Sequence, residues 1–307
     1  MLVFLIRRLL QLIPVLIGVT FLVFSMLHLI PGDPARIMAG EAAQTEQIER
    51  LREELGLNDP ILVQYFRFVT NAVQGDLGNS IRTGRPVSTE IFETRFQTTI
   101  QLAVAATAAA ILMGLIIGIT SAMWKYTLVD TGLMLFSLVF LSIPNFLAGI
   151  LLMNFLGVQL RLLPLTGWGT PQQMVMPVVM IGLTGSVTMA RMTRASLIDV
   201  LNQDYIRTAL AKGISERVAV FKHALRNALV PVVTIAGLVF GGMLGGALIT
   251  ETIFAINGMG RLAIDALRVR DFPVVQGTIL VIATMFVLVN CLVDITYRVI
   301  NKRIDTN

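Results

Sequence analysis

The stretch 231–250, PVVTIAGLVFGGMLGGALIT, holds no Asp, Glu, Lys or Arg over 20 residues. A helix that crosses the hydrocarbon of a bilayer needs about 17 to 25 apolar residues, so this segment alone places the chain in lipid. It lies inside a charge-free gap between Arg226 and Glu251, and three similar gaps occur: Asp130 to Arg161, Arg161 to Arg191, and Asp271 to Asp294. Upstream, Leu9–Ile30 and about Thr98–Met123 supply two more apolar stretches, which makes six spans. An even count puts both termini on one side. The first stretch follows Arg7 and Arg8 and runs 22 residues, longer than the roughly 7 to 15 of a signal-peptide core, so it is expected to stay as an anchor.

Composition agrees. The 307 residues are 55% hydrophobic and 14% charged, with a mean hydropathy of +0.77, where a soluble domain carries roughly 25% charged residues. The net charge of +5 is sorted by side rather than spread, which argues against a nucleic-acid partner. Arg7 and Arg8 at one end, Arg298, Lys302 and Arg303 at the other, and seven basic against three acidic residues in 191–226 mark the cytoplasmic face. Segment 31–97, with seven basic and ten acidic residues, falls outside. The chain therefore divides into an N-terminal segment with the first span (1–30), an extracytoplasmic segment (31–97), and a core (98–307) with a cytoplasmic loop at 191–226.

The outer segment has its own order. Ile48, Leu51 and Leu55 recur at helical spacing, as do Ile61, Tyr65, Phe68, Val69 and Ala72 after Pro60, which predicts two short amphipathic helices outside. Pro60 is expected at the first position of the second. Residues 75–80, GDLGNS, form a turn-rich loop, and Val87, Ile91 and Phe96 lead into the second span. Pro144 breaks the third span and Pro177 falls in the fourth. Two readings of Pro144, Asn145 and Pro177 stand: they border a solute path, or they kink helices for packing. In the fifth span, Gly237, Gly241, Gly242, Gly245 and Gly246 pair at spacings of four, a small-residue face that lets another helix approach. Packing within the chain or against a second copy of such a protein is the first reading, and a pore lining the second. Glu251, at the outer end, is expected to reach water. Cys291 is the single cysteine, so no intrachain disulfide forms.

Several chemistries lack their residues. A coupling site for protons or sodium usually shows as an ionisable group inside a span. Only His28 and Asp294 come near, both at span ends. No Gly-Lys pair occurs, so the phosphate loop GxxxxGK[ST] is missing. Two histidines and one cysteine do not make the usual four-ligand metal site, and no HExxH or GxSxG occurs, so no catalytic residues are assigned and no cofactor is expected in this chain.

The loop between the fourth and fifth spans is too patterned for a simple turn. Asn202 or Asp204 can cap a helix over 205–212, and Gly213 ends it with left-handed geometry. Ala209 and Ala211 keep that helix slim, while Arg207 and Lys212 suit its C-terminal dipole. Ser215 can cap the next helix, with Val218, Phe221 and Leu225 on one face. A slim helix held at the tip of a helical hairpin serves as a mechanical connector. The alternative is a basic segment drawn to anionic lipid, which a net charge of +4 permits.

The whole chain resembles the permeases of the dipeptide, oligopeptide and nickel class of ATP-binding-cassette importers. The resemblance rests on RRLLQLIPVL (7–16), PGDPAR (31–36), GLNDP (56–60), GDLGNS (75–80), ARMTRAS (190–196), DYIRTALAKG (204–213) and KHALRNALVPVVT (222–234). It implies an all-α integral membrane protein of the type I importer fold, with six transmembrane helices and both termini cytoplasmic. It also implies that Asp204, Tyr205, Arg207, Thr208, Ala209, Ala211, Lys212 and Gly213 form a coupling helix that docks in a cleft of an ATPase subunit. The Glu and first Ala of the wider Glu-Ala-Ala signature are absent, and Asn257 stands where these permeases usually have Pro. The implied partners are a second permease in a heterodimer, one or two ATPase subunits that hold ATP and magnesium, an extracytoplasmic binding protein, and membrane lipid. The implied place is a bacterial or archaeal cell membrane. The implied cargo is a small peptide, with glutathione or nickel as alternatives, and a self-sufficient secondary transporter or channel is the competing class.

Overall fold

In the computed structural model, residues 2–29, 33–40, 43–54 and 56–300 are described, and within them every regular element is helical. Pro31 and Gly32 of PGDPAR, Leu55, Lys302 and Arg303 lie outside the described residues. Among the described residues, five helices are long and apolar enough to cross a membrane, and a sixth span is counted if the pair bent by 100° is one span. The chain forms two compact units, one of Met1–Thr99 with Asn257–Val287, the other of Ile100–Ile256 with Leu288–Asn307.

In the first unit, α1 (Leu2–Leu29) is followed by three short helices, α2 (Pro34–Ala39), α3 (Thr45–Glu54) and α4 (Ile61–Val73). Asp33 caps α2 by accepting from the Ala35 amide, with Pro34 at a position that needs no donor, and Arg52 of α3 reaches back to Asp33 at 2.5 Å. That bond raises the Arg52 pKa above its ordinary value. Pro60 is the residue before α4, one place earlier than its sequence signal suggests.

The last of these helices, α4, packs on α1. Tyr65 bonds Thr20 at 2.9 Å, His28 bonds Gln64 at 3.1 Å, and Phe24 stacks with Tyr65 and Phe68. Thr20 lies about 13 Å along α1 from its outer end at 1.5 Å per residue, so α4 lies against the outer half of that span. Leu62, Phe66 and Val73 stay exposed on its far side. The GDLGNS loop is pinned by Asp271, which is 4% exposed and accepts from Ser80 Oγ at 2.5 Å and the Ile81 amide at 3.2 Å. Beneath it Val87 and Ile91 pack with Met259, Leu262, Val274 and Val275.

The second span runs as α5 (Val87–Met123), with a π-turn at Ile91–Arg95. Next come α6 (Leu128–Ser142) and α7 (Asn145–Gln159), bent by 100° at Ile143–Pro144. Each arm of 15 residues reaches about 22 Å, short of a roughly 30 Å hydrocarbon core. Pro144 thus does more than kink the span; it divides it. By contrast α8 (Pro171–Leu201) continues through Pro177 as one helix. After α9 (Asp204–Ala211), a helical turn at Glu216–Val218 and a π-turn at Ala219–Ala224 lead into Leu225–Ile253, together α10. The chain closes with α11 (Met259–Arg268) and α12 (Phe272–Ile300).

In the second unit α8 is central and packs on α5, α6, α7 and α10. Its close crossing with α5 uses glycines outside the fifth-span stripe: a Cβ on Gly114 would stand 2.3 Å from Met189 Cβ, and one on Gly118 2.7 Å from the Ala190 carbonyl. Glu251 is fully buried rather than in water, because α10 continues past it to Ile253 and Ile256 turns back to donate to its carbonyl.

Candidate functional site

The hairpin between the fourth and fifth spans is built from the end of α8, the short α9 and the start of α10. Asn202 closes α8 as its C-cap, Gln203 is extended, and α9 begins at Asp204. Lys212 follows as the C-cap and Gly213, at φ +87°, turns the chain out of the helix where a side chain would be strained. Ile206 fixes α9. It is fully buried among Ala122, Leu197, Ala219, Val220, Ala224 and Ala228. Tyr205 OH accepts from Asn227 Nδ2 at 2.9 Å and ties α9 to α10. The outward face presents Arg207, Thr208, Leu210 and Ala211, with Ala209 half-buried.

Four details differ from the sequence reading. Neither Asn202 nor Asp204 caps α9, since Gln203 occupies that place without a side-chain bond. Arg207 is mid-helix and lies 3.8 Å from Asp204, an exposed pair worth about 0 to 1 kcal/mol, so it serves the C-terminal dipole poorly. Ser215 meets the next helix through its carbonyl, which accepts from the Ala219 amide, and among the described residues no bond from its side chain caps that helix. Val218 and Phe221 are exposed, and Ala219, Val220 and Ala224 face the core instead. A π-turn advances more residues per turn than an α-helix, so a face counted at 3.6 residues drifts across it.

A network beside the hairpin was not legible as such. Arg194 of α8 grips Asp130 of α6 with both arms of its guanidinium, Nε to Oδ1 at 2.7 Å and Nη2 to Oδ2 at 2.6 Å. Asp130 also accepts from Ser121 Oγ and, at 2.9 Å, from the Tyr126 amide. In the sequence, Asp130 marks only the edge of a gap and Arg194 only one charge of the loop. Their separation of 64 residues hides the pairing.

The other candidate residues divide. Asn145 Oδ1 accepts from Thr184 Oγ1 at 2.7 Å, joining the start of α7 to α8, while Pro144 is exposed at the break and Pro177 is buried within α8. A Cβ on Gly237 would stand 2.2 Å from Val293 of α12, so that glycine packs within the chain. Gly241 is buried, whereas Gly242 and Gly245 have nothing within 4 Å of an added Cβ and face open space. The surroundings of Gly246 lie outside the described residues. Among the described residues, no group of three His, Cys, Asp or Glu side chains could hold a metal ion.

Comparison with known proteins gives consistent results. Residues 110–306 match the family described as binding-protein-dependent transport system inner membrane component, and residues 1–103 match the N-terminal part of such components. The glutathione transport system permease protein GsiC of Pectobacterium atrosepticum is 46% identical over 99% of both chains, and that of Escherichia coli strain K12 is 43% identical over the same share. Among solved structures, an inward-facing conformation of the MetNI methionine ABC transporter aligns with a TM-score of 0.57 at 18% identity, covering 67% of this chain and 94% of that one. An amino acid ABC transporter aligns at 0.52 and 19% identity, over 65% of this chain and 89% of the other.

Proposed function

The chain belongs to the family of binding-protein-dependent transport system inner membrane components, and from that premise we propose that it forms half of a translocation path for glutathione or a similar small peptide, with α9 as its contact to an ATPase. It is a multi-pass membrane protein and the permease subunit of an ABC importer, not an enzyme. The choice of cargo rests on the names of the relatives that match the whole length of the chain. No residue pattern favours nickel.

The observation that carries the coupling role is the position of α9. One residue, Ile206, is sunk fully into the bundle while Arg207, Thr208, Leu210 and Ala211 are left uncovered, so the helix is anchored from within and free on its outward face. In this reading Asp204, Tyr205, Arg207, Thr208, Ala209, Ala211, Lys212 and Gly213 make the docking segment. A second permease completes the path, one or two ATPases with ATP and magnesium close on α9, and an extracytoplasmic binding protein delivers the solute at a bacterial cell membrane. Pro144 and Asn145, at the break in the third span, border the path, and Gly242 and Gly245 offer an open face to the second permease.

Ala211→Trp tests the docking segment. Ala211 is exposed, so the added bulk meets a partner and not the bundle. Membrane insertion should be unchanged while co-purification of the ATPase falls by about tenfold, the effect of 1.4 kcal/mol. Full retention of the ATPase and of transport would put the docking segment elsewhere.

A further inference from the structure

We propose that the Asp130–Arg194 pair is a positioning clamp that carries displacement of α9 into the broken span α6–α7. The proposal rests on the reading of α9 as the docking segment. Three observations support it.

The first is energetic. Asp130 is 5% exposed and Arg194 26% in their side chains, and removing a carboxylate from water is costly. Well-packed apolar residues at such positions stabilise a fold as well or better, so stability alone is a poor reason for the pair. Fixing register is the better-attested use of a buried charge.

The second is geometric. Both carboxylate oxygens are saturated in a fixed pattern, Oδ1 by Arg194 Nε and Ser121, Oδ2 by Arg194 Nη2 and the Tyr126 amide. The planar fork of arginine allows one orientation, which an ammonium would not impose. One side chain at the foot of α6 is therefore tied to the end of α5, to the α5–α6 turn and to α8. Tyr126 itself sits at φ +64°, so the turn is held in a conformation that few non-glycine residues adopt.

The third is placement. Ser121 precedes Ala122, and Arg194 lies one turn before Leu197; Ala122 and Leu197 both belong to the cluster that buries Ile206. The seat of α9 and the clamp thus share the ends of α5 and α8. From Asp130, α6 runs directly to the 100° break, beyond which Asn145 is held by Thr184 of α8. A tilt of α9 that moves these helix ends moves the foot of α6 with them.

The test uses the full complex with both permeases and the ATPases. Ser142→Cys, just before the break, is placed in a Cys291→Ala background, which leaves one thiol in this chain, and labelling is read on this chain after the subunits are separated. Maleimide labelling is compared without nucleotide and after trapping with ATP and vanadate. With the clamp intact the rate should change by about fivefold or more, the low end of coupling effects. With Asp130→Asn or Arg194→Lys the change should collapse to under about twofold while the ATPase still co-purifies. Ser121→Ala removes one tie and no charge; it remains folded if the charge variants do not, and it should narrow the change. Three results overturn the clamp: a full nucleotide effect in these variants, loss of ATPase binding in Ser121→Ala, or no effect even with the clamp intact. If Ala211→Trp retains the ATPase, the docking segment is wrong whatever the labelling shows, so the two failures are separable.

Discussion

Ile206 concentrates at one residue what holds the hairpin between α8 and α10 together. Its side chain is the one in α9 that is fully buried, and Ile→Ala in a packed core costs about 2 to 5 kcal/mol. Because α9 has eight residues and no side-chain cap, it has little intrinsic stability to offset that loss. Ile206→Ala should therefore release the hairpin locally, seen as proteolytic cleavage within 203–215 of purified protein at unchanged membrane yield. Resistance equal to wild type would show that α9 is held by other contacts. The sequence points to Gly213 and to the slim alanines, because helix ends and small residues announce themselves in one dimension. It does not single out Ile206, since Leu210 recurs four residues on at the same helical spacing yet stays exposed, nor Asp130 with Arg194, whose bond joins distant segments.

Among the helices, periodicity and charge gaps are what a sequence shows best: they mark the five spanning helices and the apolar stretch that the break at Pro144 divides. The crossings between helices are less legible. The fifth span displays its glycines openly, yet the close contacts of Gly114 and Gly118 are decided by the Met189 and Thr193 that face them. Gly118→Val should collide with the Ala190 backbone and sharply lower the yield of detergent-stable protein. Gly242→Val adds bulk where nothing lies within 4 Å, so the isolated chain should remain stable while pairing with a second permease is lost. Size-exclusion chromatography of each, alone and co-expressed with its partner, separates the two effects. Equal stability of both variants would contradict the α5–α8 crossing. The faces misjudged near α10 have a similar origin, since a π-turn shifts register without an obvious residue signal.

At the scale of the whole molecule, the chain supplies spans, a hairpin and a buried clamp but no phosphate loop, and its family places the energy source in another subunit. The outer segment shows how far membership can be read from short motifs: PGDPAR holds a helix cap made by a local bond, and GDLGNS a loop pinned by Asp271 from 191 residues away. Solute choice is less accessible, because no ionic side chain in the sequence marks a selective site within the spans. The most direct test is uptake of labelled glutathione into proteoliposomes. This chain should transport only when combined with its second permease, the ATPases, the binding protein and ATP, and should be silent alone under a proton or sodium gradient. Accumulation by the purified chain alone, driven by either gradient, would contradict the account.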